Sequence, residues 1–430
     1  MTNSLISRNS IIELCSILVC LIPLALLTGP FIPDLFISFI SIVFIIFSFK
    51  ENLWKQYYKN YFFFVFSVFF LYLLVSSLVS NNTFSSLEAS VFYFRFGIFS
   101  LAVWFFIDQN KLLIRKFSIF LLITFLVALS DGLYQIFNDT NIFGFTNVSA
   151  NRMTLLLNDK QILGGYLSRL FPLLFGTLIY SFNLNIKKII SLMLLLIITD
   201  VVIYISGERT AIGLLLLETV LIIILISKFK MLRIISLFLS IGIIAIITFF
   251  NSEVRERNIN KTIEQLNFNV ANNEINGKYE KRFNLFSPQH ESHIITSYNM
   301  FKKNKVFGIG PGQFQNYCND DRYFYNKLGC STHPHNSYMQ VLAELGIIGF
   351  VFIFSAFFYV VMSLIFQLKR TSEKKSINLQ DFRSCLLISF ILSLWPILPT
   401  QDFLNNWINI IYYLPVGFYL HSQYKKNKAI

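Results

Sequence analysis

The chain has 430 residues, of which 55% are hydrophobic and 14% charged, with a formal net charge of +13 and a mean hydropathy of +0.59. About a quarter of the residues in a soluble domain are charged, so this composition excludes a soluble globular fold and favours a polytopic membrane protein. Solid runs of Phe, Ile and Leu also exclude a β-barrel, whose strands show only weak alternation.

The apolar runs predict an all-α protein with about twelve transmembrane helices, because about 17 to 25 apolar residues cross a hydrocarbon core of about 30 Å. The first run has no small-residue cleavage site before Gly29 and continues into another span, so we expect it to be retained and not removed as a signal peptide. The predicted spans are 11–27, 31–49, 61–79, 87–107, 114–137, 163–182, 189–206, 211–226, 232–250, 337–368, 385–399 and 408–421.

Lysine and arginine are unequally distributed between the segments that join these spans. They occur in 50–59, 111–116, 187–188, 228–233, 369–375 and 425–428, and are absent from 28–30, 80–86 and 400–407. The positive-inside rule therefore predicts that both termini are cytoplasmic. Three regions follow: helices 1 to 9 in 1–250, a large helical loop on the outer face in 251–336, and helices 10 to 12 with a cytoplasmic tail in 337–430. This charge needs no nucleic-acid partner.

The layout argues against a transporter, which is the least favoured alternative. The two halves of the sequence show no internal repeat and no paired broken helices. A carrier of two six-span halves would place its longest connection at the middle and in the cytoplasm. Here the longest polar insert lies between the ninth and tenth spans and outside.

Two of the five cysteines lie in the outer loop. Cys318 and Cys330 could form a disulfide there, because an oxidising periplasm permits one. A bridge closing so short a segment would contribute about 3 kcal/mol. Two free thiols are the alternative.

The outer loop contains two predicted helices and a turn. Residues 251–268 carry charges at helical spacing with apolar residues between, which predicts an amphipathic helix on the membrane surface. Residues 290–303 predict a second helix. It ends before Gly308, Gly310, Pro311 and Gly312, which force a turn.

The end of the loop carries a specific motif. Tyr-Asn-Met-Phe at 298–301 and the glycine-rich turn precede His335-Asn336-Ser337, and Gly346 and Gly349 follow. This arrangement resembles the signature of the O-antigen ligase and polymerase superfamily: a His, then Asn, Ser or Gln, then nine residues, then Gly-x-x-Gly, at the end of a large periplasmic loop. The twelve-span layout with cytoplasmic termini is similar too.

The resemblance implies an enzyme of the bacterial inner membrane that takes part in lipopolysaccharide biosynthesis. Such an enzyme moves a glycan from undecaprenyl diphosphate to an acceptor hydroxyl at the periplasmic face of the lipid bilayer. We favour a ligase that uses lipid A core or a similar acceptor. The alternative is an O-antigen or exopolysaccharide polymerase of the same superfamily, whose acceptor is another lipid-linked glycan.

The same resemblance suggests roles for the motif residues. His335 is the expected catalytic base, since a neutral imidazole accepts a proton near neutral pH. Asn336 is expected to orient the base or the acceptor. Gly346 and Gly349 are expected to lie on one face of the tenth helix and allow close packing.

Arginine binds phosphate oxygens bidentately and keeps its charge, which suits a leaving diphosphate. Arg209 resembles the family's arginine between spans seven and eight. Arg95 lies about two turns into the fourth span with no acidic neighbour except Glu88. The family also has an arginine in the long loop, for which Arg282 or His293 is the candidate.

A metal site is the rival interpretation of the loop. His290, His293, His333 and His335 could form a four-ligand shell, and adjacent Asp320 and Asp321 could bind a divalent ion. Because a diphosphate can depart with arginine alone, we predict a metal-independent enzyme without a cofactor.

Overall fold

The computed structural model describes residues 7–138, 140–146, 152–157, 160–183, 185–226, 229–267, 274–275, 278–279, 286–370 and 377–424. The all-α class is confirmed, and the described strands are a two-residue antiparallel pair, β1 (Glu274–Ile275) and β2 (Lys278–Tyr279). The helices are α1 (Arg8–Leu26), α2 (Phe31–Lys50), α3 (Tyr61–Val79), α4 (Thr83–Ser90), α5 (Phe94–Gln109), α6 (Leu113–Phe137), α7 (Leu163–Ser181), α8 (Ile186–Ile205), α9 (Arg209–Leu225), α10 (Lys230–Phe250), α11 (Ser252–Arg255), α12 (Lys261–Asn267), α13 (Pro288–Lys303), α14 (Phe314–Tyr317), α15 (Ser337–Arg370), α16 (Ile377–Leu394) and α17 (Asn406–Tyr424).

Eight stretches of the described chain are long and apolar enough to cross a membrane. They are α1, α2, α3, the continuous stretch Thr83–Gln109, α6, α8, α10 and α15. Helices α7, α9, α16 and α17 coincide with four further predicted spans, and α9 has only 17 residues. The count of twelve therefore stays a prediction. The largest differences in boundaries are at two spans: the fourth begins with α4 and a short 3-10 turn, and the eleventh runs from Ile377 to Leu394 instead of from Cys385 to Pro399.

The core of the bundle is mostly apolar, and several helices also bury their polar side chains while they expose apolar ones. Helix α10 shows this most clearly, because its buried residues are Arg233, Ser236, Ser240 and Thr248, while Phe250 on the same helix is 80% exposed. Helix α7 is buried continuously over residues 163–179. It packs along α16, and α5 packs along α17, so these four helices form the centre of the bundle.

Helix α15 is broken at Gly346, which has φ 63° and ψ −161°. The prediction that Gly346 and Gly349 lie on one face of a continuous helix is therefore wrong. A helix end leaves its last carbonyls without intrahelical partners, and the glycine-rich turn supplies the donors. Ile309 N donates to Ala343 O at 3.0 Å and Gly310 N to Glu344 O at 2.9 Å.

A polar stripe on α3 holds the other side of this junction. Tyr72, Ser76 and Ser80 are spaced by four residues and so lie on one helix face. The Tyr72 hydroxyl donates to Leu345 O, Ser76 Oγ donates to Phe307 O at 3.0 Å, and Ser80 Oγ donates to Ile309 O at 3.0 Å. The stripe therefore fixes the outer loop to the membrane-embedded bundle.

We expect Gly346→Ala to destabilise the protein. An added Cβ would lie 2.3 Å from Val306 O, and the backbone angles of Gly346 lie in a region that essentially only glycine adopts, which costs another residue about 1 to 3 kcal/mol. Thermal unfolding in detergent should show a lower midpoint. Gly242→Ala on α10 is the matched control, because nothing lies within 4 Å of its added Cβ. Equal midpoints for both variants would contradict a structural need for the break.

Candidate active site

His335 lies at the end of the outer loop in a backbone conformation that side-chain-bearing residues rarely adopt, with φ 56°. Such strain persists only where the surroundings enforce it. Residues 396–400, which follow α16, provide three contacts to the motif. Thr400 N donates to His335 O at 2.9 Å, Asn336 Nδ2 donates to Pro396 O at 2.8 Å, and the hydroxyls of Ser337 and Thr400 are 2.8 Å apart.

The structure brings the four loop histidines together. The ring centroid of His335 lies 4.1 Å from that of His333, 5.4 Å from that of His293 and 5.6 Å from that of His290. His290 and His293 come from the first turns of α13, which Ser287 caps with its side chain. The helix therefore begins at Pro288 and presents both rings toward the motif.

Burial keeps these imidazoles neutral. It is the main cause that lowers the pKa of His335 to about 3, and the charges of His333, His290, His293 and Arg152 add to it. Burial and the neighbouring histidines likewise lower the pKa of His293 to about 4. At neutral pH the His335 ring is thus neutral, and one of its two ring nitrogens can accept a proton.

Arg152 and Arg209 lie near the histidines, and Arg257 lies near these two arginines. Burial, and then the charges of Arg152 and Arg209, lower the pKa of Arg257 to about 10, and the charges of Arg209 and Arg152 also lower the pKa of His290. Arg209 begins α9, where unpaired backbone N–H groups add positive potential. The site is therefore strongly electropositive around its neutral imidazoles.

The segment predicted as an amphipathic helix on the membrane surface is helical over residues 252–267. It packs on the turn between α8 and α9. Arg257 Nε donates to Gly207 O at 3.1 Å, Asn258 Nδ2 donates to Tyr204 O at 2.9 Å, and Arg209 Nη1 reaches Thr262 Oγ1 at 3.4 Å. Residues 251–267 thus carry Arg257 into the site.

Glu208, which precedes Arg209 in the sequence, binds the N-terminus of helix α7. The Glu208 carboxylate accepts from Gly164 N at 2.7 Å and from Gly165 N at 3.1 Å, at the start of α7. Acidic groups stabilise helix N-termini in this way. Glu208 therefore joins the turn before α9 to the buried central helix.

Several expected site residues lie elsewhere or act differently. Asn336 Oδ1 accepts from Met339 N at 3.0 Å and its Nδ2 donates to Pro396 O, so both polar atoms bind backbone. Its expected role in orienting His335 or the acceptor stays a prediction. Arg95 forms an ion pair with Asp34 at 2.8 Å, so the expectation that it lacks an acidic partner is wrong. Arg282 lies outside the described residues.

Arg152 and Arg257 are the site residues that sequence reasoning missed. Arg257 was predicted to lie in an amphipathic helix on the membrane surface. Arg152 lies in the polar segment between α6 and α7, which joins the same ends of the helices as the outer loop. Because both segments are predicted on the same face of the membrane, the sequence could have indicated that Arg152 lies near the outer loop.

A buried polar network supports the glycine-rich turn. Glu344 Oε1 accepts from Phe314 N at 3.0 Å, and Gln340 Nε2 donates to Glu344 Oε2 at 3.2 Å and to Asp402 Oδ1 at 2.6 Å. Gln340 Oε1 also accepts from Phe403 N at 2.8 Å. The first turns of α15 are therefore fixed to both the loop and the segment before α17.

Cys318 and Cys330 are joined by a disulfide with Cα atoms 5.0 Å apart. Cys318 is fully buried against Met300, Ile309 and Phe314. The bridge thus anchors the segment that leads to His333 and His335. Among the described residues, no group of three or more His, Cys, Asp and Glu side chains could hold a metal ion.

Residues 190–354 match the family model described as O-antigen ligase. The match runs from α8 to the first part of α15 and includes Arg209, Arg257 and all four loop histidines. The resemblance inferred from the motif is thereby confirmed for this part of the chain. No curated protein gives a significant match.

Acid should destabilise the folded protein between about pH 6.5, the ordinary histidine pKa, and about pH 3, the pKa of buried His335. The unfolded chain binds more protons in this window, so the free energy of unfolding falls as pH falls. His293→Leu removes a histidine with a pKa of about 4 and should flatten the profile. Unfolding midpoints measured across the window test this, and an unchanged slope in the variant would contradict a buried neutral His293.

Proposed function

We propose that this multi-pass membrane protein of the O-antigen ligase superfamily transfers a glycan from undecaprenyl diphosphate to an acceptor hydroxyl at the outer face of the bacterial inner membrane. The observation that carries the proposal is one strained, neutral histidine, His335, beside a group of arginines at the end of the outer loop. With both termini cytoplasmic, as the charge distribution indicates, this site faces the periplasm.

The arginines suit the donor's diphosphate. Its polyprenyl tail stays in the bilayer, so the diphosphate must sit at headgroup depth, where a helix end can meet it. Arg209 at the start of α9 combines a bidentate guanidinium with a helix N-terminus, and both favour phosphate. Arg152 and Arg257 lie close enough to add charge. Arg95, paired with Asp34, is a weaker candidate than these three.

The transfer needs one proton acceptor. The acceptor hydroxyl loses its proton to the His335 imidazole as its oxygen bonds to the anomeric carbon. The bond from that carbon to phosphate breaks, and undecaprenyl diphosphate leaves with the electron pair. Arginines stabilise the negative charge that develops on the departing group.

Donor binding should also activate the base. Without substrate, neighbouring positive charge and burial hold the pKa of His335 at about 3. A bound diphosphate would neutralise the arginines and place negative charge nearby, which raises a histidine pKa. The base would then become effective only once a donor occupies the site.

We favour the ligase reaction, with lipid A core or a similar acceptor, over polymerisation of lipid-linked repeats. The size distribution of surface polysaccharide in a deletion strain distinguishes them. Loss of a ligase leaves long glycans on undecaprenyl diphosphate, whereas loss of a polymerase leaves single repeats.

His335→Ala should insert and fold but lose about 10² to 10⁴-fold in transfer rate, the usual contribution of a general base. Transfer by the purified protein is measured with lipid-linked glycan and acceptor, in the presence of EDTA because no metal is proposed. Asn316→Ala on the loop surface is the control. Near wild-type turnover of His335→Ala, or a requirement for added Zn²⁺ or Mg²⁺, would overturn the assignment.

Arg209→Lys should weaken donor binding, because lysine keeps the charge but loses the bidentate fork. Arg209→Ala and Arg152→Ala should weaken it further. The matched control is Lys302→Ala, which should bind the donor normally. Lys302 is exposed on α13, and its ammonium lies over the Tyr298 ring at 4.6 Å. Titration with an undecaprenyl diphosphate glycan gives the affinities, and equal values for all variants would exclude Arg209 and Arg152 from the phosphate site.

A further inference from the structure

A charged cluster is buried between α8, α9 and α10, away from the candidate active site. Arg233 on α10 is fully buried. Its Nη1 donates to Asp200 Oδ2 at 2.7 Å and its Nη2 donates to Asp200 Oδ1 at 3.1 Å. Nη2 also contacts the Thr219 hydroxyl, and Ser240 Oγ donates to Asp200 Oδ2 at 2.8 Å. This bidentate pair is electrically neutral.

A second carboxyl group lies in the same cluster. Glu218 on α9 is fully buried, and neither of its side-chain oxygens has a hydrogen-bond partner within the described structure. Arg233 Nε likewise has none, so the guanidinium does not bond to Glu218. An ionised Glu218 would leave one uncompensated negative charge inside the bundle.

The cost of that charge determines the state of Glu218. An isolated buried carboxylate is strongly unfavourable and takes up a proton instead. Acidic residues inside membrane segments are expensive for the same reason. We propose that Glu218 is a proton-binding site inside the helix bundle, which keeps one proton at neutral pH.

The groups around Glu218 fit a neutral acid. Arg233 and Asp200 act on it electrostatically in opposite directions. On α16, which packs against α9, the Cys385 thiol lies near both Glu218 and Asp381. The site does not depend on the glycan-transfer proposal, because none of these residues is among the proposed base and phosphate-binding residues.

Infrared spectroscopy of the purified full-length protein tests the proposal. The spectrum of the wild type minus that of Glu218→Gln at neutral pH should show the carbonyl band of a protonated carboxylic acid. Glu13→Gln is the matched control, because Glu13 is exposed and pairs with Lys116 at 3.0 Å, so its subtraction should show a carboxylate band. If Glu218→Gln does not fold, Glu218→Leu replaces it in the subtraction.

Thermal unfolding in detergent gives a second readout. Glu218→Gln should keep the wild-type midpoint because glutamine resembles a neutral glutamic acid, whereas Asp200→Asn should lower it by leaving Arg233 without a counter-charge. A carboxylate band at Glu218 would overturn the proposal. So would loss of the acid band on adding Na⁺ at constant pH, which would identify a metal-cation site.

Discussion

The backbone break at Gly346 is the constraint on which the candidate site depends. A helix that stops inside a bundle must find donors for its free carbonyls, since lipid offers none. The glycine-rich turn provides two of them, through Ile309 and Gly310, and α3 binds the carbonyls of that turn in return. The outer loop is therefore joined to the membrane helices through backbone hydrogen bonds, and the place of His335 follows from that junction.

Burial and nearby charges determine which side chains of the candidate site are charged. Burial holds the histidines neutral. The positive charges of Arg152 and Arg209 act on Arg257, so these three side chains repel one another. Mutually repelling cations are unfavourable until an anion neutralises them, which supports the proposed diphosphate ligand. Burial is the main cause of the low pKa of His335, and the charge of Arg152 adds to it. In the proposed reaction a bound anion would offset that charge and raise the pKa of the base.

Much of this was predictable from the sequence, because the strongest signals are local. Apolar runs located the long helices, and the spacing from His335 to Gly346 and Gly349 identified the superfamily. Long-range pairings were not visible. Asp34 and Arg95 are far apart in sequence yet form an ion pair, and Arg152 joins the site from a segment with no motif. The spacing of Gly346 and Gly349 also could not show that Gly346 interrupts the helix, because glycine adopts helical and non-helical backbone conformations.

The strained backbone of His335 links these observations. A left-handed residue returns to an ordinary conformation unless several independent contacts prevent it. Here Pro396 and Thr400 hold the motif from one side, and the Gln340 network holds the turns that follow it. Since residues 396–424 lie beyond the matched domain, the last helices complete the geometry of the histidine. The candidate site therefore depends on the segment that follows α16 as well as on the outer loop.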